Sequence, residues 1–153
     1  MNKVALIASV LKYKEGRLIS TSGKLRDTLI HTKGYRRCSA VVDGVRCEAL
    51  AHKVIWYMHH GDVPEGLMLD HINLDKTDNR IENLRLVTAA GNNQNIIRKG
   101  YALHKPSGRY RVKVHAGGKL LFSCYCTTEE EAKAAYLEAK AKYHPFATKH
   151  SII

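Results

Sequence analysis

Short apolar runs separated by glycine-centred turns fill the first fifty residues. VALIASVLKY, GRLIS, YRRCSAVV and VRCEALA alternate with turn signals at Gly16, Ser22-Gly23, Gly34 and Asp43-Gly44. This spacing predicts a succession of short strands, with a hairpin at Asp43-Gly44 between Val42 and Val45. The period changes at AHKVIWYMHH, residues 51–60, where Val54, Ile55 and Met58 share one helical face and Gly61 stops the helix. Pro64 and Gly66 then set a turn. Leu67 to Ile72 reads as a short apolar strand, Asn73 to Asn83 as a polar loop and Leu84 to Val87 as a second strand. Thr88 can cap a helix from Ala89 to about Arg98. In the last third, Tyr101 to His104 reads as a strand. GRYRVKVHAGGKLLFSCY reads as two more, joined at Ala116-Gly117-Gly118. Thr128 with Glu131 forms a capping box that opens a helix with Ala132, Ala135, Tyr136, Ala139 and Tyr143 on its apolar face, and Pro145 follows its end.

These elements predict an α+β chain in three segments. Residues 1–50 form a β-rich segment. Residues 51–98 run helix, strand, loop, strand, helix. Residues 99–153 form a three-stranded sheet packed on one helix. At 153 residues the chain can bury one modest core or two small ones.

Charge sharpens this division. The formal net charge is +11, which points to a polyanionic partner. Residues 1–60 carry eleven Lys/Arg and four Asp/Glu, residues 61–97 three and six, and residues 98–153 eleven and four. Two basic flanks therefore enclose an acidic middle. That arrangement suits a nucleic-acid binder with a cation site in its centre better than uniformly solvated faces. The four cysteines, Cys38, Cys47, Cys124 and Cys126, lack zinc-ribbon or zinc-finger spacing and read as free thiols. The apolar run near the start is too short for a signal peptide, and no window is long enough to span a membrane. The expectation is a cytoplasmic protein with no membrane partner. The sequence leaves monomer and homodimer both open.

The acidic middle holds the candidate chemistry. LDHINLDKTDNRIENLRLVTAAGNNQN, residues 69–95, places Asp70-His71, Asn83 and Asn92 in one short stretch. Hydrolysing a phosphodiester needs a base for the attacking water, a cation against the developing charge, and groups held in register. Histidine ordinarily titrates at about 6.5, which suits the base. An aspartate with an asparagine offers oxygen ligands for Mg²⁺ or Mn²⁺, one ion per site. An asparagine such as Asn83 can fasten a loop by bonding backbone groups across it, and Asn79 is a lesser candidate for that task. Adjacent strand residues face opposite ways, so Asp70 and His71 fit a strand end better than a strand centre. Taken singly, each of these residues has an ordinary structural explanation. His52, His59 and His60 lack a third ligand of suitable type on their helix face, and His52 suits a structural or phosphate-touching role.

Residues 52–95 resemble the HNH endonucleases, particularly the homing and phage branch. The resemblance rests on HKVIWYMHHG, PEG, LDHIN, DNRIENLRLVT and GNNQN. It implies a ββα-metal fold, with His71 as general base, Asp70 and Asn92 as metal ligands and Asn83 as loop support. It also implies double-stranded DNA as substrate, with 5′-phosphate and 3′-hydroxyl products. Residues 11–50 are similar to the β-rich segment that often precedes this domain. Residues 99–147 resemble the plant ethylene-response-factor type of DNA-binding domain through KGY, SGRYRVKV, GGK and TTEEEAKAAYLEAKAKYHPFA. That resemblance implies a sheet in the major groove, read through Lys105, Arg109, Arg111, Lys113 and Lys119. Strand alternation puts Arg109, Arg111 and Lys113 on one face, and Tyr110, Val112 and Val114 on the other. Tyr110 and Ser123-Cys124 depart from the usual residues of that family, so no base specificity follows. Arg36, Arg37, His52, Arg85 and Asn95 complete the candidate DNA contacts. The leading expectation is thus a metal-dependent DNA endonuclease. A catalytically silent DNA-binding protein on the same scaffold is the alternative. RNA binding is disfavoured, because no platform of aromatics for stacking bases stands out.

Overall fold

The computed structural model describes residues 2–96 and 98–148. It has the expected α+β character, and the chain divides into two compact units, Met1–Leu86 and Val87–Ile153.

The first unit opens with a helix, α1 (Lys3–Val10), where the sequence pattern predicts a strand. An apolar run of this length, interrupted only by Ser9, does not distinguish strand from buried helix by period. Asn2 settles the matter locally, because its side chain accepts the Val4 N–H at 3.0 Å and caps the helix. Strands β1 (Leu11–Lys14) and β2 (Arg17–Ser20) then form a hairpin. Strands β3 (Leu29–Ile30), β4 (Arg36–Val42) and β5 (Val45–Leu50) form an antiparallel sheet in that order. The β4–β5 hairpin turns at Asp43 and Gly44, both at positive φ (50° and 76°), with Val42 opposite Val45. β5 runs directly into α2 (Ala51–His60), which buries Ala51, His52, Val54 and Ile55. β6 (Met68–His71) pairs with β7 (Leu84–Val87), and a 3₁₀ turn at Ile81–Asn83 leads into β7. Ile7, Leu11, Leu18, Cys38, Cys47, Ala51, Val54, Ile55 and Leu84 build one core. Cys38 and Cys47 thus serve as small apolar side chains. All four cysteines are free.

The second unit begins with α3 (Ala89–Gln94), capped by Thr88, whose side chain accepts the Gly91 N–H. The helix ends about one turn before Arg98, the end expected from the sequence. Gly91 and the asparagines at 92, 93 and 95 are poor helix formers, and Asn95 sits at the C-cap. A Cβ on Gly91 would meet the Phe146 ring at 3.0 Å, so α3 and the segment after the last helix approach closely there. Strands β8 (Tyr101–His104), β9 (Arg109–Ala116) and β10 (Lys119–Cys126) form an antiparallel sheet ordered β10-β9-β8. Helix α4 (Glu129–Tyr143) packs on one face, opened by the Thr128–Glu131 capping box. Val112, Val114, Ala132, Tyr136 and Ala139 form its core. Among the described residues, no helix is long and apolar enough to cross a membrane.

Candidate active site

β6 carries Asp70 and His71 to its end. The strand pleat sends the two side chains to opposite faces, yet both are buried, at 7% and 4% exposure. Arg85 on the partner strand β7 holds Asp70. Its Nε and Nη2 donate to the same oxygen, Oδ2, at 3.0 and 2.9 Å. The sequence makes Arg85 a candidate DNA contact, and in the structure its guanidinium also binds the Asp70 carboxylate.

His71 lies among three groups from other elements. Its Nε2 sits 3.0 Å from Asn79 Oδ1. Its ring packs edge-on against His52 of α2, with centroids 5.2 Å apart, and Tyr35, just before β4, leans on both histidines. Burial, with smaller effects of His71 and Lys53, drives the His52 pKa from 6.5 down to about 3. His52 is therefore a neutral imidazole, and its buried Nδ1 has no hydrogen-bond partner.

The loop between β6 and β7 is tied by its own polar side chains. Asn83 Oδ1 accepts the Asn73 N–H at 3.0 Å, and Asn83 Nδ2 donates to Asn73 Oδ1 and to the Asp78 carbonyl at 2.9 and 2.8 Å. Asn73 Nδ2 and the Arg80 guanidinium both donate to Asp78. The Arg80 bonds, chiefly, hold the Asp78 carboxyl below its ordinary range. Asp75 is lowered likewise, first by the Thr77 N–H it accepts. From outside the loop, Arg36 Nε donates to the Thr77 carbonyl at 3.1 Å, and Lys76 Nζ donates to the Lys33 carbonyl at 3.1 Å. Arg36 therefore braces this loop.

Asn92 lies on α3 in the second unit, half-buried, with its N–H donating to the Thr88 carbonyl at 2.9 Å. Asn95 is fully buried and receives the Thr148 hydroxyl at 2.9 Å, so its side chain holds the fold of that unit. Among the described residues, no group of three or more His, Cys, Asp or Glu could hold a metal ion.

On the outer face of the second unit's sheet, Arg109 and Lys113 are exposed; Lys105 in the β8–β9 turn and Lys119, which starts β10 opposite Ala116 and so on the face of Val112 and Val114, are exposed as well. Arg111 is half-buried, and its guanidinium lies 5.8 Å from the Tyr125 ring. Register places Arg109 opposite His104, Arg111 between Ala102 and Tyr125, and Lys113 opposite Ser123. In the first unit, Arg37 is partly exposed and ion-paired with Glu48.

Residues 49–94 match the family model described as HNH endonuclease. The match runs from the end of β5 through α3, so it contains Asp70, His71, Asn83 and Asn92 and excludes the sheet of the second unit. A solved structure of the HNH homing endonuclease I-HmuI, concerned with its DNA binding and cleavage, is 31% identical. It aligns with a TM-score of 0.46, over 53% of this chain and 47% of that one. The chain thus spans about half the length of that relative. A comparison with curated proteins gave no match.

Within residues 49–94, sequence reasoning ranks Asn79 below Asn83 and passes over Asn73, Asp78 and Arg80. The loop reads N-L-D-K-T-D-N-R, and every Asn or Asp in it is an equally good turn former. Nothing local marks the amide that meets the histidine. Tyr35 lies far upstream and leaves no signal near the motif.

Proposed function

We propose that this chain is a metal-dependent DNA endonuclease of the HNH homing type, with His71 as its general base. The observation that carries the reading is the setting of His71 within the family match: buried at a strand end, next to Asp70, with one ring nitrogen engaged by Asn79. With Nε2–H donating to Asn79 Oδ1, the Nδ1 lone pair accepts the proton of the attacking water. Asn79 orients the ring, and Asn83 keeps the loop that carries Asn79 in shape. The oxygen donors fit a hard divalent ion, Mg²⁺ or Mn²⁺, with Asp70 and Asn92 as protein ligands. Arg85 Nε and Nη2 donate to Asp70 Oδ2 and fix the orientation of the carboxylate. When bound, such an ion supplies positive charge to the pentavalent phosphorus and to the leaving 3′ oxygen.

Three functional segments follow: 1–50 and 99–153 hold double-stranded DNA, and 51–98 cuts it. The outer sheet face of the third segment, with Arg109, Arg111 and Lys113, supports an ethylene-response-factor-like role on the duplex. One reading competes. The Arg85–Asp70 pair neutralises the carboxylate without an ion, which favours a silent DNA-binding protein.

Plasmid nicking separates the two. Supercoiled DNA containing the target site is incubated with Mg²⁺, Mn²⁺ or EDTA. The endonuclease reading expects nicking only with metal, and a loss of about 10²-fold or more in His71→Ala with DNA binding intact. Undiminished cleavage by His71→Ala removes His71 as base. Salt-sensitive binding without any cleavage favours the silent protein.

A further inference from the structure

We infer that a cleft at the N-terminus of α2 binds a backbone phosphate of the nucleic-acid strand. The inference rests on the DNA-endonuclease reading only for the source of that phosphate. The cleft has a volume of about 590 Å³ and lies wholly in the first unit. His31, Lys33, Tyr35, Arg37 and His52 line it, together with the end of β5.

The helix start itself is electropositive. Leu50 occupies the N-cap position, makes no side-chain cap, and no acidic residue follows in the first turn. The opening N–H groups of a ten-residue helix therefore have no side-chain acceptor and carry the positive end of its dipole. Alone this would not make a site. His52, in that first turn and on the cleft wall, adds an independent observation. The side chain is 4% exposed, and its Nδ1 has no hydrogen-bond partner. A buried ring nitrogen without a partner is costly, and a proton on it is a donor awaiting an acceptor.

Charge around the rim agrees. The Lys33 N–H donates to His31 Nδ1 at 3.2 Å, which leaves Nε2 as the ring nitrogen that can donate, a second donor. Lys33 and Arg37 add two cations. The carboxylate on the wall, Glu48, already serves Arg37 and Arg46. Tyr35 and His52 form the wall against the His71 ring, so a phosphate here sits beside the proposed base. The cleft would thus fix the strand's register relative to His71, a positioning role.

The test uses amide NMR spectra of the full chain in EDTA, so no cleavage occurs. Inorganic phosphate is titrated first, and a duplex oligonucleotide is then added. Saturable shifts at Ala51, His52 and Lys53 are expected, with affinity about tenfold weaker in Lys33→Ala and in Arg37→Ala, whose side chains lie at the rim. Lys33→Arg should restore binding. The duplex should displace the phosphate. His52→Gln is a second probe, and if it unfolds the two rim variants still decide. Absence of localised shifts with both ligands overturns the site. Phosphate that stays bound beside the duplex overturns its assignment to a backbone phosphate. The phosphate response should survive in His71→Ala. If the plasmid assay finds no cleavage while phosphate still binds here, it is the nuclease reading that fails and the anion site that stands.

Discussion

His52 shows how one buried side chain ties stability to pH. Folding takes its imidazole out of water and lowers its pKa to about 3, whereas the unfolded chain protonates it near 6.5. The unfolded state therefore binds a proton that the folded state refuses. The stabilisation is fully present above pH 6.5 and is lost as pH falls from 6.5 towards 3. Between pH 6.5 and 5 this amounts to about 2 kcal/mol. Asp75 and Asp78, lowered from 3.8, act only at more acid pH and leave that window clear. Urea denaturation across the window should show a steeper loss for wild type than for His52→Gln. Parallel curves would mean that His52 takes up its proton without unfolding.

At the scale of elements, short polar signals and close approaches decide what forms. α4 is legible because a capping box starts it and an apolar stripe follows. α2 is legible from the spacing of Val54, Ile55 and Met58 and from Gly61 at its end. α1 is not, because Val4 to Val10 is apolar apart from Ser9 and shows no helical period, and the Asn2 cap before it is the one helical cue. Gly100, just before β8, is also silent in the sequence. A Cβ there would lie 2.0 Å from Tyr136 Cε2, inside the core between the sheet and α4. Gly100→Ala should therefore destabilise the second unit by ~1–3 kcal/mol through overpacking. Hydrogen exchange at β9 amides should report the change. Unaltered protection would mean that Tyr136 moves aside at no cost.

For the whole molecule, the net charge of +11 makes salt dependence the informative measurement. Replacing Arg109, Arg111 and Lys113 together by alanine should weaken DNA binding. It should also flatten the dependence of log affinity on log salt by roughly 0.9 for each phosphate that the variant no longer neutralises. An unchanged slope would take this sheet face off the DNA. The alternation that puts these three cations opposite Val112 and Val114 was readable from residues 109–114 alone, because a strand has a period of two. So were the strand–loop–strand–helix order around Asp70, His71, Asn83 and Asn92 and the acidic middle between basic flanks. Those features are local, or are sums over composition, and need no knowledge of distant neighbours. The tertiary structure decided which partner each polar group meets. It gave His71 to Asn79, His52 and Tyr35, Asp70 to Arg85, and Asn95 to Thr148. It also left the start of α2 open at a cationic cleft. Such pairings join residues far apart in the chain, and only packing brings their atoms within bonding distance.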